Sequence, residues 1–386
     1  MLKTAAAQAA AVSFLHCIKI WSINKIFLYR NGVAGLKHIA SAVLLSALIL
    51  TAAAPFTAFA EDSTETSEIT EYEKDTIFEQ NGLEFKLYQT EPPRLEVRRC
   101  LSEEAEIEIP EVVNGIIVDS IGEYSFEKVK TLVSLRLPES VRFIRNHAFF
   151  QCSRLRDLSF PNCLENIEFM AFSNCDHLSP IRLNKGLTEL GFAAFQSCGE
   201  VRALTVPPGV ELFSDYACNF THDLYTLRFC SGVQKIGSHA AQNNYYQKRV
   251  IIPPSVTEIG DHAIGYLFQK GEYQGLNEAV IYGAKGTAAE TYAKENGMPF
   301  EEFNFNYGDI NNDGSITAVD ASAVLSEYAR TSSDGEGTGF TEAQKLKADL
   351  NDDFRVNAVD ASKILSYYAY TATGGNDTPE VFFFLR

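Results

Sequence analysis

The chain has 386 residues, with 50 Asp and Glu against 33 Lys and Arg and a formal net charge of −17. Its basic residues are too sparsely interleaved with aromatics for a nucleic-acid partner. Apart from one stretch near the amino terminus, no apolar segment approaches membrane length, so no membrane span is expected.

That stretch, Ala40–Ala54, follows Lys37 and His38 and precedes Ala58-Phe59-Ala60, a small-x-small cleavage pattern. At about 15 residues before Pro55 it is short for a bilayer helix. Residues 1–60 therefore read as a signal peptide, with a mature start at Glu61 and a secreted, extracellular product. The 36 residues ahead of Lys37 are long for a basic leader and suggest a translation start drawn too far upstream. An acidic Ser/Thr/Glu tether over 61–75 is expected to be disordered.

Residues 76–300 carry a repeat. Ile121, Ile144, Ile167, Leu190, Phe213, Ile236 and Ile259 are spaced by 23 without a slip. A small residue and an apolar one follow at a fixed distance, as in Ala148-Phe149, Ala171-Phe172 and Ala194-Phe195. Strands with alternating inward residues come next (Leu135/Leu137, Leu158/Phe160, Ile181/Leu183, Leu204/Val206, Leu227/Phe229, Val250/Ile252), several closed by a proline. One such unit cannot bury its own apolar side, so neighbours stack and share an elongated core. The period and the Leu155-Arg-Asp-Leu158-Ser-Phe160 pattern resemble a leucine-rich repeat of the bacterial surface-antigen type. The asparagine that usually follows the strand is replaced by Ser140, Cys163, Gly186, Gly209, Gly232 and Ser255, so no asparagine ladder is expected. Leu83, Phe85, Leu87, Leu95 and Val97 suggest an opening hairpin, Ala288–Asn296 a closing helix, and Phe268–Gly275 an insertion.

Four columns of the repeat invite a chemical reading. Arg136, Arg182 and Arg228 share one strand position, Arg156, Arg202 and Lys248 another, and Arg249 lies beside them. In so acidic a chain this local inversion of sign suggests a face for an acidic polysaccharide or acidic protein, against the plainer reading of a solvated strand face. Cys152, Cys175 and Cys198 read as a stack of small buried side chains. Seven cysteines follow residue 60, an odd number that argues against a full disulfide framework, with one or two bridges between neighbouring repeats left open. His147, His239 and His262 share a repeat phase and read as parts of the scaffold rather than ligands.

After a short linker, 301–306, the segment 307–386 contains two copies of one motif. Asp309-Ile-Asn-Asn-Asp-Gly-Ser-Ile-Thr-Ala-Val-Asp320 returns forty residues later as Asp349-Leu-Asn-Asp-Asp-Phe-Arg-Val-Asn-Ala-Val-Asp360. Oxygen ligands fall at loop positions 1, 3, 5 and 12: Asp309, Asn311, Asp313 and Asp320, then Asp349, Asn351, Asp353 and Asp360. Ser315 and Arg355 at position 7 are placed to offer a backbone carbonyl, and Thr317 and Asn357 at position 9 to act directly or through water. Calcium takes six to eight oxygens, and this alternation lets one loop wrap the ion, so two Ca²⁺ sites are expected. A helix follows each loop, with Val324, Leu325 and Tyr328, and Ile364, Leu365 and Tyr368, each read as sharing a face. Thr341-Glu-Ala-Gln344 is a capping box for a short linking helix.

Loop-plus-exit-helix units in tandem resemble a type I dockerin, the module that plugs into a cohesin of a scaffoldin in cellulosomes, the complexes of polysaccharide degradation. The expected fold is thus α+β multidomain: a leucine-rich repeat solenoid of short parallel strands, then a small all-α calcium-binding dockerin of two loop–helix units. The resemblance carries cohesin contacts onto Ala318, Val319, Leu325 and Ser326, and onto Ala358, Val359, Leu365 and Ser366. Many dockerins have a hydroxyl pair at loop positions 10 and 11; Ala-Val here implies a different cohesin class and a drier contact. That Val319 and Val359 instead pack inside the module stays open. Identical pairs in both copies imply two binding orientations related by a half turn. Phe354 departs from the glycine of position 6, where the turn is sharp. Asp320 and Asp360 at position 12 are one methylene shorter than the usual glutamate. Val381–Leu385 is expected to fold back near Phe303, Phe305 or Tyr307.

Most dockerin-bearing proteins are enzymes, but repeats and dockerin leave no stretch of 100 residues for a catalytic domain, and neither a nucleophile elbow nor a phosphate loop is present. The expectation is a secreted non-catalytic component whose repeat domain binds a polysaccharide, protein or cell-surface partner, and which is cell-associated only through a scaffoldin. The alternative is an enzyme or enzyme inhibitor acting through the repeat surface.

Overall fold

The computed structural model describes residues 73–276, 278–334 and 339–385. The leader, its cleavage point and the tether as far as residue 72 lie outside the described residues.

The spacing of 23 becomes a parallel register. Ile144 pairs beside Ile167 and Ile167 beside Leu190 in one ladder; Leu204, Leu227 and Val250 are successive neighbours in another. Most turns of the solenoid thus lend a two-residue strand to the first ladder and a longer strand to the second. The second ladder runs through Glu106–Glu108, Ser134–Arg136 and Asp157–Ser159, then resumes with Ala203–Val206, Thr226–Phe229, Arg249–Ile251, Val280–Gly283 and Phe300–Glu302. The strand expected at Ile181/Leu183 is missing from it. Both side chains are nevertheless buried, and Pro180 beside them has no N–H to donate to a ladder.

Between the ladders, the rings of Phe126, Phe149, Phe172 and Phe195 stack at 5.1, 4.9 and 5.4 Å. The column of small residues lies alongside. Cys152, Cys175 and Cys198 are fully buried and donate Sγ–H to the carbonyls of Phe126, Phe149 and Phe172 at 3.0, 3.1 and 3.4 Å. Thr221, one repeat further on, makes the same bond to Phe195 O at 3.1 Å. Burial pushes the Cys152 thiol up to about 12 and raises the other two, so these are inert structural thiols rather than nucleophiles. All seven described cysteines are free, so the bridges left open by the sequence do not form.

Two residues per repeat take left-handed backbone. Tyr124, His147, Met170, Ala193, Tyr216, His239 and His262 hold φ between 49° and 57°. A side-chain-bearing residue pays about 1–2 kcal/mol there. Turn-to-turn hydrogen bonds such as Phe149 N–H to Ala171 O, 2.8 Å, offset it. The three histidines sit at this phase and stack with their neighbours, His147 on Tyr124 at 4.8 Å and His239 on His262 at 5.8 Å.

The solenoid is capped at both ends. Leu83–Thr90 pairs antiparallel with Ile77–Gln80 and Pro93–Cys100, burying Leu83, Phe85, Leu87, Leu95 and Val97. At the far end helix α1, Ala288–Glu295, closes the core, and the Tyr292 hydroxyl donates to Ile264 O at 3.0 Å. The insertion is an antiparallel hairpin, Tyr266–Gln269 with Glu272–Gly275.

The carboxyl-terminal module contains α2, Ala318–Asp334; α3, Glu342–Ala348; α4, Ala358–Ala372; and α5, Pro379–Phe384. The Thr341–Gln344 capping box opens α3 as expected. Val324 and Ile364 meet in the module core with Tyr307, Leu346 and Phe383, and Ile251 and Tyr282 of the repeat sheet join the same cluster. Leu325, Tyr328, Leu365 and Tyr368 are exposed instead, so the apolar residues of each exit helix divide between two faces. Consecutive helical residues diverge by about 100°, which separates Val324 from Leu325. The tail folds back as expected, with the Phe384 ring 5.1 Å from Tyr307.

Candidate functional site

The first loop is organised by its own carboxylates. Asp309 accepts from the backbone N–H of Asp313 and Gly314 at 3.2 and 3.1 Å. Asp320 accepts from Ile310 N at 2.9 Å through Oδ1 and from Thr317 N at 2.9 Å through Oδ2. Asn311 Oδ1 takes Asp313 N, and Asp313 Oδ1 takes Ser315 N. Thr317 Oγ1 accepts from Val319 N at 3.1 Å, so position 9 also caps α2. The carboxylate at position 12 therefore ties the first residues of the loop to the first turn of the exit helix. Gly314 holds φ 86° with open space around it.

The second loop repeats this pattern. Asp349 Oδ2 accepts from Phe354 N at 3.1 Å, Asp360 from Leu350 N at 2.9 Å and Asn357 N at 3.0 Å, Asn351 Oδ1 from Asp353 N, and Asp353 Oδ1 from Arg355 N. Asn357 caps α4 in a capping box with Asp360. Phe354 occupies the position-6 turn at φ 65°, strain of about 1–3 kcal/mol that the surroundings must hold.

This donor set fits a hard cation. Asp349 Oδ1 is buried with no hydrogen-bond partner. Burial, followed by the neighbouring charges of Asp352 and Asp360, pushes the Asp349 carboxyl up to about 7. Burial likewise takes Asp360 up to about 6, against the N–H groups of Asn357 and Leu350 that favour its charge. A cation would meet the stranded oxygen and relieve both. Among the described residues, no group of three or more His, Cys, Asp or Glu side chains gathers as a metal centre. The loops also present Asn, hydroxyl and backbone oxygens, and most of their carboxylate oxygens accept backbone N–H groups.

Residues 119–248 match the BspA type leucine rich repeat region in 6 copies, and residues 307–367 match the dockerin type I domain. The chain joins a BspA-type leucine-rich repeat region to a type I dockerin. Solved structures similar to the repeat region include a leucine-rich repeat protein of T. pallidum, at 22% identity over 48% of this chain and 86% of that one, TM-score 0.44. A leucine-rich cell surface protein of Faecalibacterium prausnitzii matches at 23% identity over 56% of this chain and 66% of that one, TM-score 0.47. A leucine-rich repeat protein of Bacteroides ovatus matches at 21% identity over 54% of this chain and 56% of that one, TM-score 0.44. No curated protein matches the chain. Type I dockerins bind calcium and imply a cohesin partner in cellulosome-like assemblies, and leucine-rich repeats imply protein interaction; both are non-catalytic modules. Among the described residues no helix is long and apolar enough to cross a membrane.

The eight dockerin positions assigned to cohesin contact are exposed on both helices: Ala318, Val319, Leu325 and Ser326 on α2, and Ala358, Val359, Leu365 and Ser366 on α4. Val319 and Val359 are 61% and 52% exposed, which removes the reading that they pack inside the module. Tyr328 and Tyr368 join them on the surface, a matched pair that the sequence reading places with the buried Val324 and Ile364. Their recurrence forty residues apart, as a matched pair in both helices, was the available signal.

The basic strand face divides. Arg136, Arg156, Arg182 and Arg202 are exposed. Arg136, Arg156 and Arg182 line a cleft of about 510 Å³ whose far wall includes Phe384 and Leu385 of the dockerin tail. Lys248 is paired with Glu278. Arg228 and Arg249 are not free to meet an outside ligand, contrary to expectation. Arg228 is fully buried under the second loop, with Nη1 and Nη2 donating to Asp352 at 2.8 and 3.0 Å. Arg249 lies 3.4 Å from Glu342 and 4.0 Å from Asp349. The dockerin is acidic and the strand face basic, so the module itself fills that part of the face.

Proposed function

We propose that the chain is an exported, non-catalytic component of a cellulosome-type complex. The dockerin engages a cohesin of a scaffoldin through the exposed side of α2 or of α4. The repeat domain offers its exposed arginines to an acidic polysaccharide or acidic protein, and attachment to a cell runs only through the scaffoldin. Asp309, Asn311, Asp313, Ser315, Thr317 and Asp320 would hold one calcium ion, and Asp349, Asn351, Asp353, Arg355, Asn357 and Asp360 a second. Calcium supplies a compact double charge that neutralises the crowded carboxylates and stiffens each loop. Each loop then sets the angle of its own exit helix through the position-12 aspartate.

The observation that carries this reading is the match between the two helices: the same residues, at the same loop positions, are exposed in both copies. Pull-down of the full chain with a panel of cohesins tests it. Capture by at least one cohesin in calcium, lost in chelator, is the expected result; capture by none in either condition would overturn it.

The arginine cleft makes its own prediction. Arg136→Glu, Arg156→Glu and Arg182→Glu together should abolish binding of a polyanionic glycan such as polygalacturonate, and the wild-type interaction should weaken steeply with salt. Equal retention of polygalacturonate by wild type and triple variant on affinity electrophoresis would remove the cleft from the proposal.

A further inference from the structure

The second loop departs from the first at particular positions, and three of those departures face one task. At loop position 4, Asn312 is replaced by Asp352. Asn312 accepts from Lys347 within the module, whereas Asp352 takes both terminal nitrogens of Arg228 from the repeat sheet. At position 6, Gly314 is replaced by Phe354, whose ring meets Tyr225 of the sheet edge-on at 4.9 Å. In the exit helix, Ala323 is replaced by Lys363, whose Nζ donates to Phe383 O at 3.0 Å and so holds the tail. The neighbouring Phe384 ring lies 3.6 Å from the Arg228 guanidinium, which has Tyr307 at 5.1 Å as well.

The tail adds contacts of its own. Glu380 accepts from Ser231 N at 2.9 Å, Asp377 pairs with Lys185 at 3.2 Å, and Val381 and Leu385 bury Cys230. Arg228 also donates to Thr205 Oγ1 at 3.2 Å, which ties the guanidinium to its own strand face. A planar fork held by one strand neighbour and met by a bidentate carboxylate is a specific recognition geometry, not a chance surface ion pair.

We propose that the second loop and the carboxyl-terminal tail are the built-in ligand of the repeat sheet, so that the dockerin is a fixed head on the solenoid rather than a swinging plug. Two of the substitutions that break the symmetry of the duplicated motif, at Asp352 and Phe354, touch the sheet, and a third, at Lys363, holds the tail that does. The cohesin-facing residues Val319, Leu325, Val359 and Leu365 stay exposed in this docked arrangement, so docking leaves the partner face open.

The test writes the first loop into the second. In calcium, the wild-type full chain should melt in one calorimetric transition and scatter X-rays as one compact body. Asp352→Asn with Phe354→Gly, residues that already fold in the first loop, should split that transition in two and raise the radius of gyration. Arg228→Gln should do the same from the other side of the contact. Two transitions in the wild type, or a single transition and an unchanged radius in the loop variant, would overturn the proposal. Cohesin capture should be unaffected by the loop variant, so failure of the latch and failure of the cohesin assignment are distinguishable.

Discussion

Removing calcium from the full chain should erase most of its helical circular dichroism, and adding calcium back should restore it. Of the described helices only α1 belongs to the solenoid; α2, α3, α4 and α5 lie in the dockerin, so this signal reads the module. The argument is electrostatic. Residues 307–386 hold 13 Asp and Glu against 6 Lys and Arg. Four of the acidic groups, Asp309, Asp320, Asp349 and Asp360, are almost fully buried at the loops. Asp349 and Asp360 are raised to about 7 and about 6 because burial, and then neighbouring carboxylates, oppose their ionisation, and Asp349 Oδ1 has no donor to meet it. Because the unfolded chain does not preform such a loop, the free energy of metal binding is folding free energy. Free ion at a thousand times the dissociation constant contributes about 4 kcal/mol per site, a large share of the total for a small module. Contacts with the repeat sheet, through the second loop, the tail and Glu342 of α3, oppose this loss. A spectrum unchanged by chelator would show that the loops fold without their ion.

Placing a charge on one exit helix should be nearly silent for cohesin capture, and placing it on both should be severe. Leu325 and Leu365 are each 44% exposed and occupy equivalent positions. If either helix can face the partner, Leu325→Asp leaves α4 competent and Leu365→Asp leaves α2 competent. The double variant leaves no apolar centre, and loss of a central anchor costs about 2 kcal/mol or more, some thirtyfold in affinity at the least. Because both residues are on the surface, neither change should lower the melting temperature appreciably. Titration of the cohesin that captures the wild type checks both arms. Loss of binding from one single variant alone would show that only one helix is used.

The solenoid was legible because its signal is local and repeated. An apolar residue every 23 positions has one consistent meaning, and the register Asn166 to Glu189 or Thr226 to Arg249 follows from it directly. The exception, the strand expected at Ile181/Leu183, failed where Pro180 interrupts the ladder while the inward burial persists. The loops were legible for a similar reason. Their carboxylates, caps and exit helices lie within a dozen residues of one another, and hydrogen bonds such as Asp320 to Thr317 N span three. The helix faces were read less well. Periodicity marked Val324, Leu325 and Tyr328 as one apolar group, but an apolar residue meant for a partner looks the same in sequence as one meant for the core.

The amino-acid order by itself determined the two architectures, the loop chemistry and the matched pairs on the exit helices, since each rests on contacts between near neighbours or on a strict period. Only the tertiary structure decided what becomes of the basic strand face. Arg228 and Asp352 are separated by 124 residues, and no pattern in either segment announces the other. Seven basic residues looked alike along the chain; packing separated an open cleft at Arg136, Arg156 and Arg182 from an arginine sealed beneath the second loop. The physical reason is that a charge is read from sequence as a property of one residue, whereas its availability depends on which surface comes to rest against it.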